Sequence, residues 1–140
     1  MRTVIVSDPS IHLGPDIHHT SRTFEAEPQS AAYVRNYVRE SLQRCRVRSD
    51  EAILLANELA TNAIVHTHKD FVVELSVNDS TCRIGVLDHD TGNPKLTNAK
   101  PSDSNGRGLA LVKALSNSWG VERRDDGKAV WCDIAVSHVS

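Results

Sequence analysis

The sequence predicts an α+β fold, a two-layer sandwich in which a mixed, mainly antiparallel sheet is covered on one face by three helices. Two stretches with apolar residues at helical spacing come early, residues 29–45 and the run opened by Ser49, whereas the later segments are short, β-branched and joined by turn residues. Helices grouped ahead of hairpins favour antiparallel pairing over the strict strand and helix alternation of a parallel sheet. With 140 residues, 39% of them hydrophobic, the chain is of a size for one core.

Residues 1–20 carry Pro9 and Pro15 and no sustained apolar period, so they read as an N-terminal extension with one short strand near residues 3–7, ahead of a domain at 21–140. A brief strand at 23–26 ends at Glu27-Pro28, because a residue before proline avoids the helical region and proline suits a first helical turn. The helix that follows has Ala31, Val34, Tyr37, Val38 and Leu42 on one face, and Arg35, Arg39 and Arg44 on the other. These arginines, with Arg46 and Arg48, form a basic patch that is either a solvated face or a partner surface.

Ser49 followed by Asp50 and Glu51 gives the second helix a hydroxyl cap and an acidic first turn, both favoured by the helix dipole. Its apolar residues cover more than one stripe, so it packs on a sheet and a neighbouring helix together. Residues 71–78 and 81–87 form a hairpin about Asn78-Asp79-Ser80. From 90 to 105 the chain is polar and much longer than the ~4–6 residues of an ordinary connection, a length that points to a functional loop. Gly106-Arg107-Gly108 opens a short third helix, and strands at 119–123 and 129–136 flank Asp125-Asp126-Gly127. Trp119 and Trp131 read as core anchors.

Charge and composition exclude several classes. Sixteen Lys and Arg against 18 Asp and Glu give a net charge of −2, so no global positive field draws the chain to nucleic acid or to an anionic membrane. Three cysteines far apart, Cys45, Cys82 and Cys132, suit neither a disulfide framework nor a zinc clip and imply a reducing cytoplasm. No secretory leader and no run of ~20 apolar residues is evident.

Three clusters carry chemistry. Glu58, Asn62 and His66 stand at i, i+4 and i+8, a polar line on an otherwise apolar helix. A carboxylate and an amide one turn apart can orient a water and offer a carbonyl oxygen to a hard cation such as Mg²⁺. In Leu87-Asp88-His89-Asp90-Thr91-Gly92 an acid ends an apolar strand, where it can accept from a ligand's amino group. Gly106-Arg107-Gly108-Leu109 supplies a glycine-rich helix start, whose N–H groups and dipole suit phosphate. Each cluster taken singly also has an ordinary explanation, as a solvated face, a strand end or a chain reversal.

In this order and spacing the clusters resemble the N, G1 and G2 boxes of the GHKL ATPases, the histidine kinase-like superfamily with the Bergerat ATP-binding fold. The resemblance is nearest to the small bacterial anti-sigma-factor serine kinases of RsbW and SpoIIAB type, on Asn57-Glu58-Leu59-Ala60-Thr61-Asn62-Ala63, Gly106-Arg107-Gly108-Leu109-Ala110-Leu111-Val112 and Gly127-Lys128-Ala129-Val130-Trp131. It spans residues 22–136. It implies ATP and Mg²⁺ as cofactors, Glu58 as general base and Asn62 as the Mg²⁺ ligand. It further implies Asp88 as the acceptor of the adenine amine, Gly92 as the second G1 glycine, and Gly106, Arg107, Gly108 and Leu109 as the phosphate-facing helix start, with His66 near the pocket. The partners it implies are a sigma factor and a STAS-type anti-anti-sigma protein, with a homodimer among the assemblies it admits. One position departs, since Asp90 stands where the G1 box carries its first glycine. The alternative is therefore a non-catalytic interaction module of the same fold, an ATP-binding switch or an ATP-free one, that acts by binding a partner.

Overall fold

A computed structural model describes residues 4–6, 18–89, 104–125 and 127–139. The elements in chain order are β1 (Val4–Val6), β2 (His18–Phe24), α1 (Ser30–Arg44), β3 (Val47–Arg48), α2 (Asp50–Thr67), β4 (Phe71–Val77), β5 (Thr81–Asp88), α3 (Ser104–Leu115), β6 (Ser118–Arg124), β7 (Gly127–Ala135) and β8 (Ser137–His138). Six strands make one sheet in the order β1-β6-β7-β5-β4-β2, and β3 pairs with β8 in a short ribbon. The fold is α+β with the helices on one face, as the sequence predicts.

Two expectations are corrected. Every described strand pair is antiparallel, where a mixed sheet was expected. The reason lies in the connections: two helices follow β2 and return the chain to the end of the sheet where β2 stopped, so that Phe24 lies opposite Phe71 at the start of β4. The short strand expected near residues 3–7 is found as β1, and what changes is its place: Val4–Val6 and His18–Thr20, read as part of an extension, pair into the sheet, with β1 against β6 and β2 against β4.

Alternation builds the core. Phe71, Val73, Leu75 and Val77 of β4 and Cys82, Ile84 and Val86 of β5 turn to the helices and are buried, and Leu55, Leu59 and Ala63 of α2 meet them. Trp119 joins this core. Ser49 caps α2, its Oγ accepting from Ala52 N at 3.1 Å. Asn78 holds the β4–β5 turn, its Oδ1 accepting from Ser80 N at 2.9 Å and Thr81 N at 2.8 Å. The three cysteines are unpaired, and burial pushes the Cys82 and Cys132 thiols far up, which keeps them protonated.

Trp131 is not a core anchor. It lies half-buried on the helix-free face, with the Arg83 guanidinium 4.3 Å from its ring centroid. Arg83 also donates from Nε (2.6 Å) and Nη2 (2.7 Å) to the fully buried Asp133, which accepts in addition from Ser118 Oγ at 2.8 Å. Register explains the row: Asp133 stands opposite Arg83 on one side and opposite Ser118 on the other.

Candidate functional site

The site is built on the middle of α2 and the end of β5, two elements that pack on each other, with α3 packed on α2 from the side. Glu58 is 9% exposed, and no cation of the described residues lies within ion-pair distance of it. A carboxylate so placed keeps its lone pairs for a ligand. Asn62, one turn on, is half-buried, and His66, a further turn on, is exposed in the last turn of the helix. The polar line of the sequence therefore runs from the interior to the surface. Asn57 belongs to the frame instead, accepting from Arg35 Nη1 at 2.6 Å and so tying α1 to α2.

Asp88 ends β5 on the helix-covered face and is 9% exposed. One of its partners is a residue to which sequence reasoning gave no role. Lys128, 7% exposed at the start of β7, stands directly opposite Asp88 in the strand register, with its Nζ 3.3 Å from Oδ2 and 3.4 Å from Oδ1. Gly127 makes this approach tight: a Cβ there would sit 1.8 Å from the Asp88 carbonyl oxygen. The sequence signal was a Gly-Lys pair opening a strand, but its meaning depended on a register that no local pattern reveals.

Gly106, Arg107, Gly108 and Leu109 fall inside α3, which begins at Ser104. Gly108 and Leu109 thus have carbonyls four residues back to bond to, and the open N–H groups of the first turn belong to residues 104–106. Gly92, Asp90 and most of the polar loop at 90–105 lie outside the described residues. The basic patch is partly engaged: Arg35 bonds Asn57, and Arg39 donates to Asn36 Oδ1 at 2.8 Å. Arg39, Arg46 and Arg48 also line an open cavity of about 490 Å³ whose apolar wall includes Leu42 and Ile53.

The donor set suits a nucleotide with Mg²⁺. Asn62 offers a neutral hard oxygen, and Mg²⁺ keeps most of its coordination for phosphates and water, so one protein ligand suffices. Residues 24–134 match the family of histidine kinase-like ATPase domains. The chain belongs to that family. An uncharacterised protein of Streptomyces coelicolor is 47% identical over 55 residues, which are 38% of this chain and 52% of that protein. The solved structure of the RsbU and RsbW domains of a Mycobacterium tuberculosis protein superposes with a TM-score of 0.65 at 19% identity, over 88% of this chain and 34% of that one. This chain thus spans about half of the first relative and a third of the second. The histidine kinase-like fold is therefore shared with the RsbW-containing structure, and among the described residues no helix is long and apolar enough to cross a membrane.

Proposed function

We propose that this histidine kinase-like domain binds Mg-ATP and transfers the γ-phosphoryl group to a serine or threonine hydroxyl of a STAS-type anti-anti-sigma protein, while holding a sigma factor by a separate surface in the cytoplasm. The observation that carries the reading is the buried Glu58, with no ion-pair partner among the described residues, one helical turn from Asn62 on the helix that packs against the strand ending in Asp88. When bound, Mg²⁺ neutralises charge on the transferring phosphoryl group and orients it. Asn62 gives its side-chain oxygen to the ion. Asp88 accepts from the adenine amine, and burial beneath the sheet end excludes water from that bond. Glu58 takes the proton of the attacking hydroxyl as the new O–P bond forms and ADP leaves. The arginines lining the cavity between α1, β3 and α2 supply a positive surface for a protein partner, on a chain whose net charge is −2.

The test separates binding from chemistry. Calorimetry is expected to give Mg-ATP binding in the wild type, at least tenfold weaker binding in Asn62→Ala, and near-normal binding in Glu58→Gln. Phosphotransfer to a cognate antagonist protein from labelled ATP is expected only with the wild type. Binding unchanged in Asn62→Ala and Asp88→Asn would reject the site. Absence of any heat with Mg-ATP would leave the ATP-free partner module.

A further inference from the structure

Two opposite charges lie buried side by side where β5 and β7 meet on the helix-covered face, flanked by the apolar Val86 and Val130. Such a pair adds little net stability, because the desolvation of both charges offsets their attraction. It is also loose. The Lys128 ammonium straddles the Asp88 carboxylate at 3.3 and 3.4 Å, longer than the ~2.7–2.9 Å of a tight ammonium to carboxylate bond. An ammonium on a flexible stem can re-aim one of its three donors at low cost, and a carboxylate oxygen can accept more than one bond. Cross-strand register and the close approach of the Gly127 backbone to the Asp88 carbonyl hold the two groups next to each other. The strand end therefore offers an acceptor beside a charged donor.

We infer that Lys128 is a second base-reading residue, donating to the ring nitrogen N1 of adenine while Asp88 accepts from the neighbouring exocyclic amine. The inference rests on the nucleotide reading above and adds the group that selects the base. Adenine presents a donor amine and a ring acceptor on adjacent atoms, which is the complement of the Asp88–Lys128 pair.

The test compares Mg-ATP with Mg-1-deaza-ATP, in which the N1 acceptor is replaced by C–H and the amine is kept. Wild-type protein is expected to bind the deaza analogue at least tenfold more weakly than ATP. Lys128→Met is expected to bind both with similar affinity, and Lys128→Arg to keep part of the discrimination. A purely structural Lys128 would weaken both ligands together. The wild-type comparison needs no variant, so it stands even where Lys128→Met fails to fold. Equal affinity for the two nucleotides in the wild type, or undiminished discrimination in Lys128→Met, would overturn the role of Lys128 and leave the nucleotide site intact. Binding of neither nucleotide would overturn the nucleotide reading itself.

Discussion

At the scale of the residue, Gly127 carries the sharpest constraint. A Cβ there would lie 1.8 Å from the Asp88 carbonyl oxygen and 2.8 Å from its carbon, and both obstacles are backbone that cannot rotate away. Gly127→Ala must therefore push the start of β7 off the end of β5, at the point where Lys128 meets Asp88. Overpacking that moves backbone costs roughly 1–3 kcal/mol, and the site lies at the upper end of that range. Urea denaturation of Gly127→Ala is expected to show a loss of about 3 kcal/mol together with weaker Mg-ATP binding; a loss below ~0.5 kcal/mol would contradict the close approach. Glu58 and Asn62 were legible in the sequence because a helix fixes which residues share a face by spacing alone. Lys128 was not, because its partner stands 40 residues away and is chosen by strand register. Trp131 failed for a related reason: an aromatic in a strand is read as core, yet its face of the sheet holds Arg83 and Asp133 in place of helices.

At the scale of the element, α2 shows how local chemistry places a site. Ser49 is extended at the N-cap, its hydroxyl satisfies the Ala52 N–H, and Asp50 and Glu51 follow in the first turn. At the other end His68 adopts a left-handed conformation with φ 54°, so both ends of the helix are fixed and the Glu58–Asn62 turn is held between them. Ser49→Ala is expected to cost about 1 kcal/mol in equilibrium unfolding while leaving phosphate-dependent chemistry in place, since the cap lies more than two turns from Glu58. A much larger loss of nucleotide affinity than of stability would mean that the cap acts on the site directly. The helices and the β4–β5 hairpin were readable because capping residues, helical period and turn residues are local signals. The two-residue strands β3 and β8 were not, since nothing in Val47–Arg48 or Ser137–His138 marks a strand except the partner each finds.

At the scale of the whole molecule, the sheet is closed by contacts between distant parts of the chain. β2 pairs with β4 across both long helices, and β5 pairs with β7 across α3 and β6. The class of fold was legible because the order of helices and hairpins restricts the topologies, and so was the short strand near residues 3–7, whereas its capture by β6 was not, because the partner lies more than a hundred residues away and leaves no local signal. This topology bears on ligand binding. β5 and α3 belong to segments separated in sequence and both pack on α2, so under the proposed reading a nucleotide held by Asn62, Asp88 and the start of α3 would bridge parts that separate only when the fold opens as a whole. Ligand binding to the native state alone stabilises by RT ln(1 + [L]/Kd), about 2.7 kcal/mol at a hundredfold excess over Kd. For a domain of this size that corresponds to a rise of roughly 10 °C in Tm. Scanning calorimetry with Mg-ATP at that excess is expected to move one cooperative transition upward by about this amount. The same nucleotide concentration is expected to raise the Asn62→Ala transition by much less. A shift confined to part of the transition, or equal in both proteins, would mean that the nucleotide does not bridge these elements through Asn62.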